Sequence, residues 1–166
     1  MKIKVRSIGK ADLSLYVRPL RREDLNRVNE IEAASFRDPW PERFFTYVHE
    51  RAPDLFLVAV YGGKIAGYVV GEMREIMFSG IPHRFNMGHI MNIAVDTSHR
   101  RRGLGTRLME KIESRFRERN ATKVTLEVRE SNTSARSFYQ SRGYEETGRV
   151  RAYYPDEDAV IMSKTL

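Results

Sequence analysis

The sequence predicts an α/β fold, an α+β mixed sheet that is mostly antiparallel, with helices on both faces. Three observations carry that expectation. Two apolar runs of strand length, 55–61 and 65–73, are separated only by Gly62-Gly63, a two-residue antiparallel hairpin signal. Later strands alternate with helical patterns, and a helix between two strands reads as a crossover. The helical stretches carry apolar residues on one side only, so they pack against the sheet from outside.

Taken in order, residues 1–14 mix charged and apolar residues without a clear period and read as an N-terminal arm. Residues 15–166 read as one domain, a size that supports a real core. A strand is expected near 16–19. Arg21-Arg22-Glu23-Asp24 then opens a helix with Leu25, Val28 and Ile31 on one face, ending near Ser35. Acidic residues in its first turn suit the helix dipole. Phe36-Arg37-Asp38-Pro39-Trp40-Pro41 breaks it, and a second helix buries Phe44, Phe45 and Val48 and stops at Pro53. In the returning strand of the hairpin, Gly67 and Gly71 mark bends or close packing. Residues 77–88 read as a loop, with Pro82 and the exposed candidates Phe78, Ile81 and Phe85. His89-Ile90-Met91-Asn92-Ile93-Ala94-Val95 is a strand, and residues 96–99 are a turn. Leu104, Leu108, Ile112 and Phe116 recur every four residues, one face of a helix. A strand over 123–128 and a short helix over 133–142 follow, the latter stopped by Gly143. Strands at 145–152 and 159–164 close the chain, joined through Tyr153-Tyr154-Pro155-Asp156-Glu157-Asp158.

Composition narrows the function classes. The chain has no cysteine, which excludes disulfides, a thiolate metal site and a cysteine nucleophile. Its longest apolar run, 55–61, is far too short to span a membrane, and the N-terminus lacks the apolar block of a signal peptide, so a cytoplasmic location is expected. With 29 Lys and Arg against 22 Asp and Glu, the net charge is +7. That favours anionic partners: a nucleotide cofactor, a nucleic acid or the ribosome surface.

The chemistry-bearing stretch is Arg100-Arg101-Arg102-Gly103-Leu104-Gly105-Thr106, between a buried strand and a helix N-terminus. Glycines admit close approach of backbone N–H groups, and the helix end and arginines add positive charge, so the loop suits a phosphate-bearing ligand. It is not a P-loop, and the third glycine of a dinucleotide fingerprint is replaced by Leu108. What remains, Arg-x-x-Gly-x-Gly, resembles the pyrophosphate loop of the GNAT acetyltransferases. Further along, Leu126-Glu127-Val128-Arg129-x-Ser131-Asn132-x-x-Ala135-x-x-Phe138-Tyr139-x-x-x-Gly143-Tyr144 resembles the second half of the same signature. More closely, it is similar to the RimI and archaeal Ard-type N-terminal acetyltransferases. The resemblance runs from about Arg18 to Met162.

That resemblance implies the GNAT fold, whose sheet splays between its fourth and fifth strands to admit the cofactor. It implies acetyl-coenzyme A as cofactor, with coenzyme A as product. It places the pantetheine arm on the backbone of Ile93, Ala94 and Val95, the pyrophosphate on Arg100 through Thr106, and cofactor contacts at Asn132 and Tyr139. It also implies an acceptor that is a protein N-terminus, a ribosomal protein being one such acceptor, and direct attack in a ternary complex.

Acetylating an amine requires that the amine lose a proton, be held against the thioester, and meet a donor for the oxygen that gathers charge; the departing thiolate needs a proton. Alternation over 124–128 puts Glu127 on the face opposite Val124, Leu126 and Val128, and the resemblance implies that Glu127 is the base. It likewise implies Tyr139 as the acid and His89 as an assistant to Glu127. No local ligand spacing points to a metal. Phe36, Asp38 and Trp40 between the first two helices, with Tyr153 and Tyr154 between the last two strands, are the expected acceptor groove. Two other readings stay open on the residues alone. One keeps the fold and acetylates a lysine side chain, a polyamine or another small amine. The other is a non-enzymatic nucleic-acid-binding module, carried by the basic charge, Arg100-Arg101-Arg102 and Tyr153-Tyr154.

Overall fold

The most uniformly apolar stretch of the chain forms the second of seven strands, and its side chains are buried on both sides of the sheet. In the computed structural model, which describes residues 14–77, 79 and 84–166, the elements follow one another as β1 (Leu15–Pro19), α1 (Leu25–Ser35), α2 (Glu42–Arg51), β2 (Phe56–Tyr61), β3 (Lys64–Met77), β4 (Arg84–Val95), α3 (Leu104–Glu118), β5 (Lys123–Arg129), α4 (Thr133–Gln140), β6 (Glu145–Val150) and β7 (Ala159–Thr165). The expected arm falls outside the described residues except for Ser14, and so do Phe78, Ile81 and Pro82. The strands form one sheet in the order β1-β2-β3-β4-β5-β7-β6. Every neighbouring pair is antiparallel except β4 and β5, which run parallel across the α3 crossover.

Alternation along the strands feeds two separate cores. Phe56, Val58, Tyr68 and Val70 face α1 and α2 and pack with Val28, Ile31 and Phe45. Leu57, Ala59 and Val69 face the other way, onto Leu104, Leu108, Ile112 and Phe116 of α3, together with Val124, Leu126 and Val128 of β5. The every-fourth-residue stripe of α3 is thus wholly buried, as its period requires. In α2, Phe45 and Val48 are buried, whereas Phe44 is only partly covered and meets Trp40 edge to face.

The expected loop over 77–88 is shorter than its sequence suggests. Arg74, Glu75 and Ile76 pair with Met87, Asn86 and Phe85, so β3 and β4 extend as a ribbon past the helical layer. Period-2 alternation is weak there because the ribbon has little core to face. Gly71 and Gly88 are where Phe116 presses on the sheet: a Cβ at either would stand within 2.6 Å of its ring.

Two irregularities shape the middle of the sheet. Val70 pairs with Asn92 but Gly71 pairs with Ile90, so Met91 is an extra residue, a bulge that reverses the phase of β4. Ile90 therefore faces α3 before the bulge, and Ile93 and Val95 pack on the α3 core after it. Secondly, β4 and β5 pair only from Met87 with Lys123 to Ile90 with Leu126. Both strands continue beyond that point without pairing each other, which opens the sheet where the splay is expected.

Candidate active site

Gly103 ends the turn after β4 with φ +83°, a left-handed conformation, and serves as the N-cap of α3. Arg101, just before it, also has positive φ. The first intrahelical bond runs from the Arg107 N–H to the Gly103 carbonyl at 3.0 Å, so the N–H groups of the preceding turn are left for a ligand. Gly105 serves a different purpose. A Cβ there would lie 3.2 Å from the Phe138 ring, so it lets α4 pack closely on α3.

This helix end opens into a cavity of about 740 Å³. Its walls include Ile93, Ala94 and Val95, then Arg100, Arg101, Gly103, Leu104, Gly105 and Thr106, and across the gap Asn132, Phe138 and Tyr139. One expected member is missing. Arg102 turns away, its guanidinium 5.4 Å from the Tyr61 ring centre and 3.2 Å from the Tyr61 hydroxyl. With Arg101 and Gly103 both in left-handed backbone, the chain twists so that the third arginine of the run projects to the opposite side. Its place in the wall is taken by Arg142, which the sequence did not mark. Arg142 donates to Thr106 Oγ1 and stacks on Phe138, while its buried Nε has no partner. Asn132 caps α4, its side-chain oxygen accepting from the Ala135 N–H at 3.1 Å, and still lines the cavity.

A second cavity of about 270 Å³ lies on the α1 side of the gap. Phe36, Asp38, Trp40, Tyr153 and Tyr154, all five residues expected at an acceptor groove, line it together with Glu127. Both cavities touch Phe36, Ile93, Asn132, Ala135 and Tyr139, so they meet at the parting of β4 and β5. Tyr139 is 7% exposed and packs on Phe138 and Tyr144. Burial, with the charge of Tyr154 added, holds its phenol well above the ordinary tyrosine range, so it keeps its proton.

Glu127 is half-buried and lies 2.6 Å from His89 Nε2. Burial raises its carboxyl, but the hydrogen bond and charge of His89, with the charge of Arg74, outweigh it and hold the group below the ordinary glutamate value. His89 itself does not reach the cavity. At 4% exposure it sits behind Glu127, with Nδ1 3.1 Å from Glu72.

Sequence reasoning missed two polar residues here, Glu32 and Asn92. Glu32 of α1 is 1% exposed and accepts from the Trp40 N–H at 2.8 Å, from Asn92 Nδ2 and from the Tyr68 hydroxyl. Burial raises its carboxyl above the ordinary value. Asn92 in turn accepts from the Ile93 N–H at 3.0 Å. The Trp40 loop, the bulge of β4 and the sheet are thereby tied together. Two loops over the second cavity are tied too: Arg129 bonds Asp156 and Glu157 at 2.7 Å and Asp38 at 3.4 Å, and Arg37 bonds Asp156 at 3.0 Å. Among the described residues, no group of three or more His, Asp or Glu could hold a metal ion. No described helix is long and apolar enough to cross a membrane.

The arrangement agrees with what the chain is similar to. The sequence model of the Acetyltransferase (GNAT) family matches residues 25–144. An N-alpha-acetyltransferase of Sulfurisphaera tokodaii is 33% identical over 155 residues, covering 90% of this chain and 92% of that protein. The ribosomal protein bS18-alanine N-acetyltransferase of Escherichia coli is 30% identical over 148 residues, covering 87% and 93%. The crystal structure of Ard1 from Thermoplasma volcanium superposes with a TM-score of 0.80 at 29% identity, covering 92% of this chain and 97% of that one.

Proposed function

Given that the chain belongs to the acetyltransferase (GNAT) family, we propose that it acetylates the α-amino group of protein N-termini. The observation that carries this reading is the meeting of a long cationic cavity with a small, aromatic-walled one at Tyr139 and Ile93. The long cavity fits acetyl-coenzyme A. Arg100, Arg101, Arg142 and the α3 N-terminus suit a pyrophosphate, and Ile93, Val95 and Phe138 suit an uncharged arm. When bound, acetyl-coenzyme A supplies an activated acetyl group and a thiol leaving group.

The chain's own residues do the rest. A model-peptide α-amine has a pKa of about 8 and is largely protonated at neutral pH, so a proton has to be removed. Glu127 lines the acceptor cavity, is ionised, and takes that proton with His89 behind it. Tyr139 touches both cavities with its proton retained, and gives it to the leaving sulfur. Phe36, Trp40 and Tyr154 wall in the first residues of the acceptor.

The small cavity also weighs against a polycation as acceptor. Of its carboxylates, Glu32 is fully engaged and Asp38 is held by Arg129, which leaves Glu127 facing the amine. Four of the residues that suggested a nucleic-acid module line the two cavities: Arg100 and Arg101 one, Tyr153 and Tyr154 the other. A ribosomal protein is a reasonable acceptor by likeness to the bS18-alanine enzyme, and the net charge of +7 suits a ribosome surface.

The test is a paired assay with acetyl-coenzyme A and one peptide in two forms. One has a free N-terminus; the other has a blocked terminus and an internal lysine. Thiol release is expected with the first only, and equal rates on both would defeat the N-terminal reading.

A further inference from the structure

The scheme above gives Glu72 no task, yet its position is specific. It stands on β3 directly opposite His89 in the sheet register. Its Oε1 lies 3.1 Å from His89 Nδ1 and 2.8 Å from Arg74 Nε. On the far side of the ring, Nε2 lies 2.6 Å from Glu127 Oε2. One imidazole thus bridges two carboxylates carried by the strands on either side of its own. Exposure of the side chains falls from 38% at Glu72 to 5% at His89, then is 16% at Glu127, the only one of the three that lines the acceptor cavity.

A neutral imidazole carries one N–H, so it can donate to only one of two flanking anions. Both contacts become hydrogen bonds when the ring holds two protons. We propose that Glu72 is a positioning residue for proton removal: it accepts the Nδ1–H of a doubly protonated His89 ring and fixes it, while the Nε2–H is held on Glu127 Oε2 at 2.6 Å. The proposal rests on the acetyl-transfer reading above. When the acceptor N–H bond breaks, its electron pair stays on nitrogen for the attack. The proton bonds to the Glu127 carboxyl, which stays against the His89 Nε2–H. With Glu127 protonated, Glu72 is the carboxylate left facing the charged ring, as the buried carboxylate of a hydrolase triad supports its imidazolium. Product release opens the cavity and the proton leaves to water. The charged and titratable groups around the ring are Glu72 and Arg74 from β3, Glu127 from β5, and Tyr153 and Tyr154, which act on Glu127 from the β6–β7 connection.

The experiment is the pH dependence of kcat for a free-terminus peptide, in wild type and Glu72→Gln. A ¹⁵N titration of the His89 ring, assigned by its loss in His89→Gln, accompanies it. Without the second anion the protonated ring is less favoured, so the pair gives up its proton at lower pH and is a weaker base. Glu72→Gln should therefore lower the kcat plateau about tenfold, as loss of an outer-shell orienting partner typically does. Its acid limb should move to lower pH, the His89 titration should move the same way, and the Michaelis constant for acetyl-coenzyme A should hold. A lower plateau with an unmoved limb and an unmoved ring titration would reduce Glu72 to a packing role and overturn the proposal. If Glu72→Gln does not fold, Glu72→Asp, which keeps the charge but withdraws it, is read by the same two measurements. If wild type acetylates no peptide terminus, the acetyl-transfer reading fails on its own, and the ring titration still decides whether Glu72 governs His89.

Discussion

The guanidinium carbon of Arg129 lies 4.1 Å from the centre of the Tyr154 ring. The same side chain holds Asp156, Glu157 and Asp38, so it stacks on one wall of the acceptor cavity while joining the two loops that form its rim. Its charge is firmly retained, because Asp156 and Glu157 raise its pKa further. Arg129→Ala should loosen both loops and raise the Michaelis constant for peptide about tenfold, equivalent to about 1.4 kcal/mol. Turnover at saturating peptide should change little. Because exposed ion pairs are screened, raising the salt should weaken peptide binding in wild type and much less in the variant. Steady-state kinetics at two ionic strengths check both statements.

Glu127→Gln removes the carboxylate that faces the amine. The rate at neutral pH should fall on the order of 10²-fold, the low end for a general base. Above the α-amine pKa of about 8, the free amine needs no base and much of the loss should return. A Glu127→Gln variant with the wild-type pH–rate profile would remove Glu127 from the mechanism.

Tyr139→Phe keeps the ring packed between Phe138 and Tyr144 and removes only the hydroxyl. Turnover should fall by roughly 10²-fold, whereas calorimetry should find the affinity for acetyl-coenzyme A within about twofold of wild type. A matching loss in affinity would make Tyr139 a cofactor contact rather than an acid.

At Gly103 space is not the constraint, since a Cβ would meet nothing within 4 Å. The constraint is φ, which costs an L-residue roughly 1–2 kcal/mol. Gly103→Ala should therefore stay folded but bind acetyl-coenzyme A about tenfold more weakly, as the turn shifts away from its left-handed form. Unchanged affinity in a folded variant would detach this turn from the phosphate.

Glu32 sets a pH dependence of stability with a defined sign. Its folded pKa is raised by burial, so its contribution is fully present below the unfolded pKa and is lost as pH rises through the folded value. Thermal melts of wild type and Glu32→Gln should show wild type losing ground to the variant as pH increases. A difference that grows the other way would mean that the hydrogen bonds from Tyr68, Asn92 and Trp40 outweigh burial.

How much of this was legible beforehand depended on whether the signal was local. The α3 stripe and the placing of Glu127 on the face opposite Val124, Leu126 and Val128 are repeats within one element, and the structure repeats them. Gly103, Gly105, Phe138 and Tyr139, each singled out from a local motif, line one cavity. Glu32 was not legible. Seven residues after Leu25 and four after Val28, it stands on the apolar face of α1, but a carboxylate there is a buried acceptor only through Tyr68 and Asn92, 36 and 60 residues away, which no local pattern shows. Glu72 was hidden likewise, because its partner His89 arrives through the β3–β4 register. Arg102 was misplaced since a run of three arginines carries no record of the left-handed backbone that turns one of them away.

The parting of β4 and β5 beyond Ile90 and Leu126 leaves a sheet edge in the interior of the fold, not at its rim. An uncovered edge is a template for another chain, and proteins usually blunt theirs with charge or a bulge. Here the covering falls to whatever is seated in the gap. A ligand present at a hundred times its Kd adds about 2.7 kcal/mol to the folded state, a sizeable share of the roughly 5–15 kcal/mol that holds a domain together. Supply of the acyl donor would then govern how long the polypeptide survives as well as how fast it turns over, and a shortage would deplete the catalyst along with its fuel.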